Sequence, residues 1–179
     1  MFNIDKIIGM ITYIFSKCNV NEMEILKLMK LLYISDRCFI EKYNRSISHD
    51  RFCSLPRGPV LSKTLNFINS EAEFNSQQQW DFYFERVGYL ITLKSKKDDS
   101  KIEELSRAET KIIDQVISDF GDKDRFELVN YTHSFPEWKD PNGSSYPIHF
   151  KDILQTLGRS EEEINIILKE EEIYQSERV

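Results

Sequence analysis

The sequence predicts an α+β fold that is mostly helical, with a small antiparallel β-sheet or hairpin. Three observations lead to this fold class. Apolar residues recur at helical spacing between Ile4 and Cys18. Two short runs rich in β-forming residues lie on either side of Gly88, as in a hairpin. Ser106 and Glu109 have the spacing of a helix capping box.

The length and composition are typical of one folded domain. The 179 residues are 40% hydrophobic and include 12 Phe, 8 Tyr and 2 Trp, which is enough bulky apolar surface for one core. No internal repeat or linker interrupts the chain. We therefore expect a single domain over residues 1–179, in which residues 160–179 form an acidic C-terminal helix.

The first two helices are predicted from periodicity and from residues that end helices. The first covers Ile4 to Cys18. Asn21, with Glu24 three residues later, is a predicted N-cap for a second helix that runs to about Lys42. Asn44 tolerates left-handed geometry and suits the exit from this helix.

A strand, a turn and a third helix are expected next. The strand is predicted over Arg51–Leu55 because this segment is short, apolar and aromatic. Pro56 and Pro59 fix the backbone and disfavour helix before them, so the segment 56–59 is a predicted turn. Pro59 is the expected first residue of the third helix.

The middle of the chain is predicted to hold a hairpin between two loops. The segment from Ser70 to Gln79 is polar and is predicted to be a loop. Apolar and polar residues then alternate from Trp80 to Glu85, and Tyr89 to Leu93 is rich in β-formers, so the two runs predict a β-hairpin around Gly88. Lys94 to Ser100 is predicted to be a charged loop.

Helices dominate the predicted C-terminal half, apart from an irregular stretch over Phe135–Tyr146 that contains two Pro and one Gly. The expected helices are one opened by Ser106 and ended by Gly121, a shorter one over Asp124–His133, one over about Phe150–Leu157, and a final acidic helix capped by Ser160 and Glu163.

Charge and cysteine usage restrict the class of protein. The net charge is −6, and residues 161–179 carry seven acidic and two basic residues, whereas Lys27–Lys63 carries eight basic and three acidic ones. An acidic chain argues against direct nucleic-acid binding. With no long apolar run and no signal peptide, we expect a cytoplasmic protein with no membrane contact. The three widely spaced cysteines are expected to be reduced thiols (Cys18, Cys38 and Cys53).

Asp36 is the polar residue that stands out in the second helix. Apolar residues form one face of this helix, and Asp36 projects near the middle of that face. A carboxylate that faces a core must be hydrogen-bonded or paired. The expected partners are Arg51, Arg57 or the backbone N–H groups at the start of the Pro59 helix. The other polar residues are expected to lie away from the apolar face (Lys27, Lys30, Arg37 and Glu41).

Catalytic and metal-binding patterns are weak. His49, His133 and His149 lack the spacing of metal-binding histidine pairs, and no nucleotide-binding loop or nucleophile elbow is present, so no cofactor is expected. The helices near 107–120 and 124–133 superficially resemble a helix-turn-helix. Asp124 and Glu127 would then face DNA phosphates, and we therefore reject DNA binding through this element.

A resemblance to a known family runs through the chain. Lys27–Arg37, with the sequence KLMKLLYISDR, is similar to the helix pattern K-L-x-K-L-L-Y-x-x-D-R of the Panacea domain, also called the SocA-like antitoxin domain. Further matches follow in order over about residues 4–158: Tyr43–Ile47, Arg57–Val60, Leu105–Ser106, Leu128, Thr132–His133 and Trp138.

This resemblance implies an antitoxin that neutralises a cognate protein toxin by direct binding, in type II-like toxin–antitoxin pairs of bacteria and their prophages. Many such toxins block translation. The family has no established catalytic residues, so none is carried over and we expect no enzyme activity. A homodimer is left open. By charge alone, the acidic terminal helix is expected to complement a toxin that grips RNA or nucleotide phosphates.

The motif residues divide into two groups. Leu28, Leu32 and Asp36 are expected to hold the fold, and Gly58 with Pro59 is expected to shape a turn. Arg, Tyr and Trp are common anchors of protein interfaces, and four such residues are candidates for exposed partner contacts, with a core or rim role as the alternative (Tyr33, Arg37, Arg57 and Trp138).

Two other functions stay open. The founding member of the family hands its toxin to a ClpXP-type protease, so a proteolytic adaptor is one alternative. An uncharacterised enzyme is the second, and it would need a pocket in which polar groups converge around Asp36, Arg57 and His49.

Overall fold

The computed structural model describes residues 2–94 and 100–176, and over these residues the fold is α+β and mainly helical, as predicted. The helices are α1 Ile4–Cys18, α2 Ile25–Tyr43, α3 Ser62–Ile68, α4 Phe74–Tyr83, α5 Arg107–Phe120, α6 Arg125–His133, α7 Phe150–Thr156 and α8 Glu161–Ser176, with a 3-10 turn at Ser100–Glu104. The strands are β1 Glu22–Glu24, β2 Phe52–Leu55, β3 Gly58–Leu61, β4 Phe84–Val87, β5 Leu90–Leu93 and β6 Tyr146–Ile148.

The strands form two small antiparallel sheets. One has the order β1-β5-β4, and the other has the order β3-β2-β6. The predicted hairpin around Gly88 is confirmed as the β4–β5 pair, in which Val87 lies opposite Leu90. Part of the predicted loop over Lys94–Ser100 lies outside the described residues.

Helix α2 is the centre of the core and is buried nearly all round. Every residue from Leu28 to Asp36 is buried, which is typical of a helix enclosed by its neighbours. Helices α5 and α6 pack along it, and strand β3 contacts it as well. The expectation that Lys30 lies away from the core is therefore wrong, because its side chain is fully buried.

The predicted N-cap of α2 is wrong. The chain stays extended over Glu22–Glu24 because these residues pair with β5, and the helix begins only at Ile25. Long-range strand pairing thus overrides the local preference of Asn21. The exit is as predicted, since Asn44 has a left-handed conformation with φ 55°.

The predicted helix start at Pro59 is also wrong. Pro59 lies in β3, opposite Ser54 of β2, and α3 begins at Ser62. Because β3 is an edge strand, a residue without an N–H is tolerated there. The turn of the β2–β3 hairpin is therefore shorter than predicted and centres on Pro56 and Arg57.

Helix α4 replaces most of the predicted polar loop over Ser70–Gln79. The alternation from Trp80 onward is misleading, because Phe82 is exposed whereas Trp80, Tyr83 and Phe84 are buried. The buried Trp80 and Tyr83 are three residues apart, which is helical spacing, and the helix ends at Tyr83. Trp80 stacks on Phe67 at 5.6 Å between ring centroids, and this contact fixes α4 against α3.

The helices of the C-terminal half agree closely with the prediction. The predicted capping box of Ser106 and Glu109 is present, and Asp124 and Glu127 form another that the sequence analysis did not predict. Ser160 and Glu163 exchange hydrogen bonds at the start of α8. Among the described helices, none combines the length and the apolarity needed to cross a membrane.

Candidate partner-binding groove

The described residues form an open groove of ≈ 680 Å³. Five parts of the fold form its walls: the junction of β1 and α2, the β2–β3 hairpin, α3, the β4–β5 hairpin and the start of α6. We call it the hairpin groove. Its lining residues are Glu24, Ile25, Leu26, Met29, Lys30, Leu55, Pro56, Arg57, Gly58, Val60, Leu65, Asn69, Arg86, Tyr89, Arg125 and Phe126.

The rim of the hairpin groove is aromatic and basic. Tyr89 is 79% exposed and Phe126 is 57% exposed, which is unusual for such large apolar side chains. Arg125 lies over the Phe126 ring at 4.8 Å and forms an ion pair with Glu24. Exposed Arg and Tyr side chains beside an apolar floor are the composition that protein interfaces favour.

Two further arginines complete the rim. Arg57 occupies the tip of the β2–β3 hairpin, is exposed, and forms no ion pair or side-chain hydrogen bond with the described residues. Arg86 donates hydrogen bonds to the Gly88 carbonyl at 3.0 Å and to Asn69 Oδ1 at 2.7 Å. Neither guanidinium has a carboxylate partner within the described residues, so both can pair with a carboxylate of a binding partner.

The Lys30 side chain lies in one wall of the groove. Its Nζ donates a hydrogen bond to the Pro59 carbonyl at 2.8 Å, and no carboxylate of the described residues pairs with it. Burial lowers the pKa of Lys30 to about 7, because an ammonium group without water or a counter-ion is costly. The Lys30 side chain therefore holds its proton, and with it the positive charge, only weakly.

Gly58 allows this close packing. Its φ is +94°, and a Cβ there would lie 2.8 Å from both Lys30 Nζ and Thr132 Oγ1. A glycine is therefore required at position 58 on both steric and conformational grounds.

His133 lies beside the same cluster, and its buried Nε2 has no described hydrogen-bond partner. Burial lowers the pKa of His133, and the charge of Lys30 lowers it further.

Trp138 covers the outside of this cluster. Its ring stacks on His133 with 3.9 Å between centroids, and its Nε1 donates a hydrogen bond to the Leu55 carbonyl at 3.0 Å. Trp138 is half-buried. The structure therefore gives it a role in holding the β2–β3 hairpin, and the candidate role in partner contact stays a prediction.

Asp36 is buried as predicted, but its expected partners are wrong. Its Oδ1 accepts hydrogen bonds from the N–H groups of Ile47 at 2.7 Å and Ser48 at 3.0 Å, and its Oδ2 accepts one from the Ser48 hydroxyl. Burial raises the pKa of Asp36 to about 6, and these hydrogen bonds oppose that rise. Neither Arg51 nor Arg57 is among its partners: both are exposed, and Arg57 lines the hairpin groove.

The carboxylate expected at the start of the third helix belongs to Asp50. Its oxygens accept hydrogen bonds from the N–H groups of Lys63 and Thr64, each at 2.9 Å, and from the Thr64 hydroxyl at 2.7 Å. Asp50 therefore satisfies the first turn of α3. The sequence indicated the right chemistry but assigned it to the wrong aspartate.

Tyr33 and Arg37, which were candidates for partner contacts with a core role as the alternative, both lie in the core. Tyr33 has no exposed surface, and its hydroxyl donates to Glu137 Oε1 at 3.1 Å. Arg37 is mostly buried, with Nε 2.7 Å from the same oxygen and its guanidinium 4.2 Å above the Phe135 ring. Thr156 donates to the other Glu137 oxygen at 3.0 Å. Glu137, which the sequence analysis did not single out, accepts hydrogen bonds from all three of these side chains.

The three residues required for the enzyme alternative do not converge. Asp36 is enclosed by its hydrogen bonds, Arg57 is on the groove rim, and His49 Nδ1 lies 3.0 Å from Glu171 of α8. Over residues 2–94 and 100–176, no group of three or more His, Cys, Asp or Glu is placed to hold a metal ion. Burial raises the pKa values of the three thiols (Cys18, Cys38 and Cys53).

The model of one protein family, described as "Antitoxin SocA-like, Panacea domain", matches residues 28–139. This segment is more than half of the chain. The protein belongs to the SocA-like Panacea domain family. No curated protein and no solved structure matches the chain.

Most of the hairpin groove lies inside the matched Panacea segment. The match contains the whole β2–β3 hairpin, Arg86, Tyr89, Arg125 and Phe126, whereas Glu24 and its two neighbours in α2 precede it. The match is shorter than the resemblance over about residues 4–158 and excludes α7 and α8. The groove is therefore built mainly from the family's own segment.

Of the four candidate contact residues, for which a core or rim role was the alternative, Arg57 alone is among the residues that line the groove. Sequence reasoning missed four groove residues (Arg86, Tyr89, Arg125 and Phe126). Each lies near a tight turn or a helix start, where the local pattern does not indicate which side of the chain is exposed. One feature of the sequence pointed to them: Gly88–Tyr89 and Arg125–Phe126 put a large aromatic at a position where the chain turns.

Proposed function

We propose that this Panacea domain is an antitoxin that neutralises a cognate protein toxin by direct contact, and that it covers the active or substrate-binding surface of that toxin. The hairpin groove is the observation that carries the proposal. It combines two exposed aromatic rings with three arginines around an apolar floor. Such a surface is suited to a protein partner, because apolar area supplies affinity and the surrounding charge supplies specificity.

Family membership supports the kind of partner. SocA-like Panacea domains are described as antitoxins, and the groove lies mostly within the segment that defines the family. A protein that acts by covering a surface needs no nucleophile or metal. The proposal therefore requires only that the groove stays open until the toxin binds.

Co-expression tests the proposal. The product of the neighbouring open reading frame is induced alone, with the wild-type Panacea domain, and with an empty vector, and growth is measured. We expect the neighbour to arrest growth alone and the Panacea domain to restore it. A neighbour that is harmless alone, or that stays toxic in the presence of the domain, contradicts the proposal.

A second measurement separates steric cover from delivery to a protease. The purified toxin is titrated with purified Panacea domain in the absence of any protease, and its half-life is measured in cells with and without a ClpXP-type unfoldase. Direct cover gives stoichiometric inhibition in the purified system and an unchanged half-life. A proteolytic adaptor instead shortens the half-life only where the unfoldase is present.

A further inference from the structure

The hairpin groove is a basic region on an acidic protein. The whole chain has a net charge of −6, yet the groove is lined by four basic side chains and one acidic one. The acidic residue, Glu24, is already paired with Arg125. The groove therefore presents an excess of positive charge that the composition of the chain does not explain.

Two of these cations are exposed and have no carboxylate partner among the described residues. Arg57 forms no ion pair and Arg86 is held by a carbonyl and an amide oxygen, whereas Lys30 is fully buried and donates to one carbonyl. A guanidinium matches a carboxylate with two parallel hydrogen bonds, so Arg57 and Arg86 are suited to Asp or Glu side chains.

The floor between the cations is apolar. Six aliphatic side chains line it: Ile25, Leu26, Met29, Leu55, Val60 and Leu65. A sugar–phosphate backbone would leave this floor in contact with water, whereas Leu or Phe side chains of a peptide would cover it. The apolar floor and the acidic Glu24 thus favour a polypeptide over a nucleic acid.

We propose that the hairpin groove binds an acidic segment of the partner protein, in which Asp or Glu side chains adjoin large apolar ones. The carboxylates contact Arg57 and Arg86, and the apolar side chains pack against Tyr89, Phe126 and the floor. This inference rests on the proposed function, since the partner is the toxin, and it adds the chemistry of the segment that the toxin presents.

A random 12-residue peptide library displayed on phage tests this chemistry without the toxin. The library is selected on the immobilised wild-type chain, and enriched peptides are synthesised and measured by fluorescence anisotropy. We expect enriched sequences to combine two or more acidic residues with Leu, Phe or Trp. A fluorescent oligouridylate is measured in parallel, and we expect it to bind at least about tenfold more weakly than the peptides.

Two pairs of variants place the binding in the groove. Arg57→Glu is compared with Lys111→Glu, which makes the same charge change on an exposed residue of α5 outside the groove. Tyr89→Ser is compared with Phe74→Ser, since Phe74 is 75% exposed on α4 and does not line the groove. We expect about tenfold weaker peptide binding for each groove variant and less than about twofold for each control.

The outcomes of these peptide-binding experiments can be distinguished from those of the co-expression test. Enriched peptides that are basic or uncharged, equal binding to the groove and control variants, preferred binding of oligouridylate, or no enrichment at all each overturns the acidic-segment proposal. None of these results affects rescue of growth by the wild-type domain. Conversely, acidic peptides that bind the groove in a protein that rescues no toxic neighbour support the groove chemistry and contradict the antitoxin function.

Discussion

Arg37 and Glu137, which are 100 residues apart in the chain, form a buried ion pair with 2.7 Å between Nε and Oε1. Glu137 has no exposed side-chain surface and also accepts hydrogen bonds from Tyr33 and Thr156. One carboxylate thus connects α2, the loop after α6 and the end of α7. The motif tyrosine and arginine of α2 serve the fold through this residue.

Glu137→Ala is expected to destabilise the protein by about 3 kcal/mol or more, because it leaves a mostly buried guanidinium without its partner. Chemical denaturation followed by circular dichroism measures the change. Glu161→Ala is the control, since it breaks the exposed pair of Lys151 and Glu161, whose side chains are 44% and 63% exposed. We expect the control to lose less than about 0.5 kcal/mol. Equal losses would contradict a structural role for Glu137.

Asp36→Ala is expected to cost about 3 kcal/mol of unfolding free energy, because it leaves the buried N–H groups of Ile47 and Ser48 without acceptors. Asp36→Asn should cost much less, since the amide oxygen still accepts both bonds. Thermal melting of the two variants at neutral pH measures the difference. Equal melting temperatures for Ala and Asn would show that the hydrogen bonds do not matter.

The buried Lys30 ammonium makes stability depend on pH. Its folded pKa of about 7 lies below the ordinary value of 10.5, so the unfolded chain binds more protons between these values and stability rises with pH there. The wild type should gain about 2 kcal/mol relative to Lys30→Met between about pH 7 and about pH 9. Urea denaturation of both proteins across this range measures the gain. Parallel profiles would mean that the pKa of Lys30 is the same in the folded and unfolded proteins.

Gly58→Ala is expected to cost about 3 kcal/mol, from the positive φ and from the collision of the new Cβ with Lys30 and Thr132. Gly143→Ala separates the two causes. Gly143 has a similar φ of +85°, and a Cβ there would meet nothing within 4 Å, so only about 1 kcal/mol should be lost. Denaturation midpoints measure both. A Gly58 variant no worse than the Gly143 variant would rule out the steric part.

Substitutions on the acidic face of α8 test the expectation that this helix complements a toxin that binds RNA or nucleotide phosphates. Deletion of α8 would remove the buried Ile164 and Ile167, so we prefer the combined substitution of Glu162, Glu170 and Glu172 by Gln, all of which are exposed. Neutralisation should weaken, and the loss should be largest at low salt. Rescue of growth and inhibition of purified toxin measure it. Inhibition unchanged at every salt concentration would exclude the role of these charges.

The sequence by itself determined those features that depend on neighbours along the chain. Periodicity predicted α1, the capping boxes predicted the starts of α5 and α8, and Asn44 predicted the end of α2. Each of these is decided within about one helical turn, so local residues contain the whole cause. The family pattern in α2 was also visible, because it is a run of adjacent residues.

Only the tertiary structure decided which groups meet across the chain. Pairing with β5 made Glu22–Glu24 a strand. Packing of β3 and α6 against α2 buried Lys30, which a single-helix projection places outside. The hairpin groove likewise joins five parts of the fold whose rims are turns and helix starts. Contacts between distant residues depend on how elements pack, and no local pattern encodes that packing.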